Sequence, residues 1–273
     1  MRLGGKVAIV TGTSPNIGGG IAEAFSVEGA QVVCVDALEE NASQCAQELR
    51  RQGRPAIGMV CDVTDEKQVQ DVVAAAESEF GGVDVLVNGA VQYNMKGLLK
   101  MPVDEFRRQI DIILTGTFLF TQNVARLMIR QKRGGSIIHL ASTEGHQGNP
   151  ENVGYCSGKG GLLNMTRANA VELAPYGIRV NSLTPTSTDP TESVDRAERW
   201  GRPRWDISDA IPFKRGRLLP MGHPPSPSDY AQAAIFLASA ESKMVTGIDL
   251  RVDAGAVARF WAYLPPAADP SAR

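Results

Sequence analysis

Two hydrophobic periods alternate along the chain. Short runs of aliphatic and β-branched residues recur at Val7-Ala-Ile-Val-Thr11, Gln31-Val-Val-Cys-Val35, residues 56–60, Val83-Asp-Val-Leu-Val87, Ser136-Ile-Ile-His-Leu-Ala141, Arg179-Val-Asn-Ser-Leu183 and Ile248-Asp-Leu-Arg-Val252. Each is short and mostly apolar on both faces, as in a strand buried within a parallel sheet. Between them lie segments with helical spacing: residues 21–25, 39–51, 66–80 (Val69, Val72, Val73 and Ala76 on one face), 103–130, a segment from about Asn152, and 229–238. The long one carries Thr115-Gly116, where a bend is expected. Repeated β–α units predict an α/β fold: a Rossmann-like, doubly wound parallel sheet with helices on both faces, in a single domain over residues 1–257. Residues 186–227 are rich in Pro, Arg, Ser and Asp and too long for a plain connection, so they read as a lid. Residues 258–273 read as a C-terminal tail.

In such a sheet ligands bind beyond the carboxyl ends of the strands. The polar residues that stand out lie there: Gly12 to Gly18, Asp36, Asp62, Asn88, Ser142 and Pro185. Gly12-Thr-Ser-Pro-Asn-Ile-Gly-Gly-Gly20 falls between a strand and a helix, where backbone N–H groups receive a pyrophosphate. Asp36 closes the second strand, where a carboxylate bonds ribose hydroxyls and repels a 2′-phosphate. No Arg or Lys lies among residues 12–20 or 37–47. The expected cofactor is therefore NAD rather than NADP. Tyr155 and Lys159 are four apart on one helix face. A phenol ionises near pH ~10, and a neighbouring ammonium lowers that value. With the Ser142 hydroxyl, the pair makes a proton-transfer device.

Composition narrows the classes. With 28 basic and 30 acidic residues, net charge is -2, and no basic block marks a nucleic-acid or membrane-binding surface. The four cysteines, at 34, 45, 61 and 156, lack metal-ligand spacing, so no metal is expected. Cys34 and Cys61 sit in apolar runs and read as buried thiols, which fits a reducing cytoplasm. No apolar run in the sequence approaches the roughly 18 residues of a membrane span, and the N-terminus lacks a signal-peptide pattern.

Taken together, these motifs resemble the short-chain dehydrogenase/reductase family over nearly the whole chain. Thr11-Gly12-x-x-x-Asn16-Ile17-Gly18 resembles its cofactor turn, Thr-Gly-x-x-x-Gly-x-Gly. Asp62-Val63 resembles the adenine-contacting pair, and Asn88-Gly89-Ala90 the Asn-Asn-Ala-Gly motif. Ser142, Tyr155 and Lys159 match the catalytic set, with its thirteen-residue step from Ser to Tyr. Residues 179–185 match the strand before the nicotinamide-contacting loop, which implies cofactor contacts from Pro185 and Thr188. Thr246-Gly247 and Val252-Asp-Ala-Gly255 resemble the closing motif. The resemblance implies hydride transfer between a carbinol carbon and NAD. Tyr155 would be base or acid, Lys159 would hold the nicotinamide ribose, and Ser142 would bond the substrate oxygen. A homotetramer or homodimer is implied as well.

The departures are as informative. Asn16 replaces the middle glycine, and Asn tolerates left-handed backbone better than most residues. Ile113 stands where the family carries a fourth catalytic residue, an Asn that helps relay protons to Lys159. Thr186 and Ala254 replace further glycines. Carried over by motif, the substrate pocket should be lined by Gln92, Tyr93, Asn94, Glu144, His146 and Asn149, a polar set that suits a hydroxylated substrate. In the lid, Asp195-Arg-Ala-Glu-Arg-Trp-Gly-Arg-Pro-Arg-Trp205 interleaves four Arg with two Trp. It reads either as an anion clamp or as an amphipathic lid with Trp inward and Arg solvated. The tail carries Phe260, Trp261 and Tyr263, expected to bury on a neighbouring subunit. The leading expectation is an NAD-dependent dehydrogenase of a secondary alcohol, with cyclic and polyhydroxylated alcohols among the candidates. The alternatives are a 3-oxoacyl-thioester reductase and a cofactor-binding regulatory protein with weak turnover.

Overall fold

All seven apolar runs become strands: β1 (Val7–Thr11), β2 (Gln31–Asp36), β3 (Ala56–Val60), β4 (Val85–Asn88), β5 (Gly135–Leu140), β6 (Ile178–Pro185) and β7 (Asp249–Val252). In this computed structural model, which describes residues 1–208, 210 and 218–260, they form one sheet in the order β3-β2-β1-β4-β5-β6-β7. Every pairing is parallel. The fourth strand begins at Val85 rather than Val83. The Val83 amide and carbonyl are both taken by the Gln131 carboxamide, so backbone pairing with the neighbouring strands starts only after it, from Asp84.

Among the described residues the α-helices are α1 (Ile17–Val27), α2 (Glu39–Arg51), α3 (Glu66–Phe80), α4 (Val103–Ile110), α5 (Gly116–Gln131), α6 (Val153–Leu173), α7 (Thr191–Arg199) and α8 (Pro227–Ala238). Alternate strand residues face opposite layers. Ala8, Val10, Val32 and Cys34 pack with Ile21, Phe25, Cys45, Leu49 and Tyr230. Ile9, Val33 and Val35 pack with Val69, Val72, Phe120 and Met128. Both faces of the sheet are therefore covered, as continuous apolar strands require. Cys45 joins Cys34 and Cys61 in the interior. Helix starts follow their caps. Asp65 accepts from the Lys67 and Gln68 amides to begin α3. A capping box between Ser226 and Asp229 starts α8 at Pro227, two residues before the expected position.

Winding reverses on either side of β1, between β2 and β4, and the crevice there opens at the strand carboxyl ends. Thr11 seals its floor, because its Oγ1 accepts from the amides of Gly89 and Ala90. Gly12 lies on β4's exit at φ 76, and a Cβ there would sit 2.7 Å from the Gly89 carbonyl.

The bend in the long helix is a π-helical turn, Asp111–Thr115, between α4 and α5. Within the continuous helical stretch Val103–Gln131 an 18-residue window reaches a mean hydropathy of 1.4, so by length and composition alone it could cross a membrane. The stretch is packed on the sheet instead, with Phe120, Val124, Leu127 and Met128 in the core.

At the closing motif, Ala254 has φ 52, a left-handed conformation that costs an alanine roughly 1–2 kcal/mol. Ala254→Gly should raise stability by about 0.5–1 kcal/mol after the larger unfolded-state entropy of glycine is counted. A higher urea midpoint with an unchanged m-value is the expected result.

Candidate active site

β5 delivers the chain to Ser142, which opens a 3₁₀ turn at Thr143–Gly145. Its Oγ accepts the Glu144 amide at 3.1 Å. α6 begins eleven residues after Ser142 and presents Tyr155 and Lys159 from its first two turns. Gly145 lets the Ser142 loop lie against α6, since a Cβ there would sit 2.8 Å from the Lys159 carbonyl oxygen. Ser142, Tyr155 and Lys159 are thereby brought together. The Ser142 hydroxyl is near enough to the Tyr155 phenol to favour its ionised form. The Tyr93 ring meets Tyr155 edge-on with centroids 5.0 Å apart. Lys159 Nζ lies 5.6 Å from the Tyr155 ring centre and donates to the Leu140 carbonyl.

Burial governs the charges here. It pushes the Tyr155 phenol above its ordinary value; the Ser142 hydroxyl opposes this, and the nearby Glu144 charge adds to it. Burial also lowers Lys159 to about 7. The expectation that a charged lysine simply lowers the phenol is thus corrected: desolvation favours the neutral form of both groups.

The remaining candidates are distributed as follows. Gly12, Ser14, Asn16, Ile17, Gly18, Asp36, Gly89, Gln92, Tyr155, Lys159 and Pro185 line a cleft of about 620 Å³. Asp62, Val63 and Ala90 line a smaller adjoining pocket that also contains Asp36 and Arg108. The Asn88 carboxamide donates inward to Thr121 Oγ1 and contacts His139 Nδ1, so it ties β4 to α5 and β5. A second cavity, about 700 Å³, runs from Ser142, Glu144, Tyr93 and Tyr155 past Thr186 and Thr188 to Arg202 and Trp205. Glu144 accepts from the buried Asn152 carboxamide and from Cys156 Sγ. Asn94 is taken up by Glu105 at 2.9 Å. His146 does not line the cavity: its Nε2 lies 3.3 Å from Thr184 Oγ1 and 3.1 Å from Asp249 on β7. The Asn149 carbonyl accepts from Cys156 Sγ at 3.9 Å.

Three departures acquire structural readings. Asn16 has φ -84, so left-handed tolerance is not what the turn asks of it. Thr186 has no positive φ; its carbonyl accepts the Tyr230 hydroxyl. Ile113 is fully buried, and its side chain fills the space over Gly158, where a Cβ would come within 3.0 Å of it.

Sequence reasoning missed Arg108, which donates to Asp62 and Thr64 at 2.8 and 2.9 Å. It also missed Asn152, which no spacing pattern marks. The anion-clamp reading of the lid is corrected, because all four of its arginines have internal acceptors. Arg196 and Arg199 bind Glu23, Arg202 binds α2, and Arg204 binds Asp195 and Glu198. The amphipathic reading holds in part: Trp200 is buried and Arg199 and Arg204 are exposed, whereas Arg196 is buried and Trp205 is exposed. The tail residues Trp261 and Tyr263, like lid positions 209 and 211–217, lie outside the described residues.

His139, wholly buried beside Asn88, has its pKa lowered to about 3, first by burial and then by the charge of Lys159. The folded imidazole stays neutral while the unfolded one takes a proton near pH 6.5. Because the folded value is depressed, its stabilising contribution is full above pH 6.5 and is lost as pH falls toward 3. His139→Gln should flatten the fall of unfolding free energy between pH 6 and 4 by about 1.4 kcal/mol per pH unit. Urea titrations at stepped pH would show it.

A doubly wound sheet with a hydroxyl–phenol–lysine cluster beside its switch-point cleft defines a dinucleotide-dependent oxidoreductase. The comparisons agree. A family model described as enoyl-(acyl carrier protein) reductase matches residues 12–257. The chain is 35% identical over 254 residues to D-threitol dehydrogenase of Mycolicibacterium smegmatis, covering 93% of this chain and 94% of that one. It is 35% identical over 259 residues to galactitol 2-dehydrogenase of Agrobacterium fabrum, covering 93% and 98%. A 3-oxoacyl-(acyl carrier protein) reductase of Thermotoga maritima is also 35% identical over 259 residues, covering 94% and 100%. A short-chain type dehydrogenase/reductase from Mycobacterium marinum superposes with a TM-score of 0.82 at 34% identity, covering 93% and 96%. The chain belongs to the short-chain dehydrogenase/reductase family. It is an alcohol dehydrogenase/reductase that uses a nicotinamide cofactor.

The residues present fit that cofactor. Asn16 makes no side-chain cap on α1, and Ile17 and Gly18 at its first turn line the cleft where a pyrophosphate would lie. Asp36 stands at the far end, steadied by the Leu38 amide at 3.0 Å.

Proposed function

We propose that the chain is an NAD-dependent dehydrogenase of a polyhydroxylated secondary alcohol, open-chain or cyclic. The observation that carries this reading is Glu144. Its carboxylate lines the cavity beside Ser142 and Tyr155, oriented by the buried Asn152. A carboxylate is an acceptor for hydroxyls next to the reacting carbon, which a simple alcohol lacks. The threitol and galactitol enzymes among the relatives support the same class.

In oxidation, Tyr155 takes the proton of the carbinol hydroxyl, while the Ser142 hydroxyl donates to the oxygen as its bond order rises. Lys159 supplies the balancing charge and with Tyr155 holds the nicotinamide ribose. When bound, the nicotinamide supplies hydride acceptance. Gly12, Asn16, Ile17, Gly18, Asp36, Asp62, Val63, Gly89, Ala90, Pro185 and Thr188 hold the remainder of the dinucleotide. Asn88 supports that wall from behind. Asp36 selects NAD: Arg108 is already held by Asp62 and Thr64, and Arg202 by Asn41, Gln44 and Glu40. All four cysteines are unbridged, which suits a reducing cytoplasm. Exposed Phe118 and Val171 on α5 and α6 suit a homotetramer or homodimer.

The test is NADH formation from NAD with a panel of tetritols, pentitols, hexitols and cyclic diols set against simple secondary alcohols and 3-oxoacyl thioesters. Polyols should give the highest kcat/KM. The thioester reductase reading has the Thermotoga maritima relative behind it; faster turnover of 3-oxoacyl thioesters with NADPH would establish it instead.

A further inference from the structure

The residue in the glycine position of the cofactor turn is also the residue that reaches the lid. Asn16 Oδ1 accepts from Ser193 Oγ at 3.2 Å, across 177 positions of sequence. The adjoining Pro15 carbonyl accepts from Arg196 Nη1 at 2.8 Å. Two turns further along α1, Glu23 accepts from Arg196 Nε at 3.0 Å and from Arg199 Nη2 at 3.1 Å. The run Gly18-Gly19-Gly20 has two uses. A Cβ on Gly18 would overlap the Gly12 carbonyl, so that glycine closes the turn. A Cβ on Gly19 would overlap the Ser14 carbonyl and sit 3.1 Å from the Trp200 ring and 3.3 Å from Arg196 Cδ, so that glycine serves both the turn and the seating of α7. Beyond α7, Arg202 donates to Asn41 and Gln44 and pairs with Glu40 at the start of α2, just past Asp36. Residues 191–202 are thus fastened at two points, on the turn beside the pyrophosphate position and on the element beside the ribose position.

The same segment walls the cavity. Ser14, Asn16, Ser193, Pro190 and Arg202 line it together with Ser142 and Tyr155. A dinucleotide laid along the N-terminus of α1 therefore has α7 on its outer side, and the fastenings are made by protein groups alone.

We propose that Asn16 and Ser193 are positioning residues that latch α7 over the cofactor turn, so that release of the reduced dinucleotide requires the latch to open. The proposal rests on the reading of the cleft as an NAD(H) site. Removing one neutral hydrogen bond should speed opening about fivefold.

The experiment is stopped-flow displacement of bound NADH by excess NAD, followed by nicotinamide fluorescence. Ser193→Ala and Asn16→Gly should each release NADH about fivefold faster than wild type, and the double variant should be no faster than the faster single one. Ser193→Thr, which keeps the hydroxyl, should restore the slow rate. Wild-type rates in both single variants, or fully multiplicative effects in the double, would overturn the proposal. Hydrogen exchange of the α7 amides, measured without nucleotide, gives a second readout. Ser193→Ala should accelerate exchange in residues 191–200 and leave α8 unchanged; equal exchange in α7 overturns the latch. Wild-type protein that fails to bind NADH in an equilibrium titration would overturn the cofactor reading, and the exchange comparison still decides whether the latch exists.

Discussion

Tyr155→Phe should lower kcat for alcohol oxidation by about 10³-fold or more, with NADH affinity unchanged within about twofold. The phenol oxygen is the only atom removed. The ring is half-buried and keeps its edge-on contact with Tyr93, so the fold should tolerate the change. What disappears is the group placed between Ser142 and Lys159. The pH dependence can be derived as well. Phenol with neutral amine holds as many protons as phenolate with ammonium, so Tyr155 and Lys159 titrate as a pair. Lys159 is lowered to about 7 by burial, and Tyr155 is raised. Below about pH 7 the pair carries one extra proton and cannot accept another from the alcohol. Oxidation should therefore fall with decreasing pH on a one-proton slope, while ketone reduction should be favoured there. Profiles of kcat in both directions would test this. Tyr155→Phe activity above a tenth of wild type would remove Tyr155 from the proposed chemistry.

The second large effect concerns the cofactor. Asp36→Ala should shift the ratio of kcat/KM for NAD over NADP by about 10²-fold toward NADP. A phosphate dianion about 4 Å from a carboxylate meets a repulsion of about 8 kcal/mol at an effective dielectric near 20, and relief of about a third of it gives this factor. The gain stops short of the full Coulomb value because Arg108 and Arg202 are engaged elsewhere and would have to exchange partners to greet the phosphate. Steady-state kinetics with both dinucleotides is the measurement. An unchanged ratio would mean that Asp36 does not face the ribose.

Ile113 shows how far a motif can be taken. The sequence places it where a polar residue is expected, and the structure shows it wholly buried against Gly158. Any proton that leaves Lys159 does so without that side chain. The nearest polar connection of Lys159 is its bond to the Leu140 carbonyl, at the end of the strand that delivers Ser142. Backbone acceptors of this kind leave no trace in composition or spacing.

Much of the architecture could be read beforehand because its signals are local. A strand buried on both faces must be apolar throughout, and a helix on a sheet must repeat its apolar residues every three or four positions. Seven strands, their order of alternation with helices, and the glycine and carboxylate at the ends of β1 and β2 follow from such periodicities. So does the pairing of Tyr155 with Lys159, which depends only on the pitch of a helix. The structure alone decided the features that depend on distance across the chain. Asn16 meets Ser193 over 177 residues, Arg108 meets Asp62 over 46, and His146 turns to Asp249 rather than to the cavity. The lid arginines, interchangeable as letters, divide between α1, α2 and α7 itself. Side-chain partners of this kind are chosen by packing geometry, and burial then sets the charges of Tyr155 and Lys159. Neither can be computed from neighbours in sequence, which is why the class of chemistry was legible in the chain and the fastening of its lid was not.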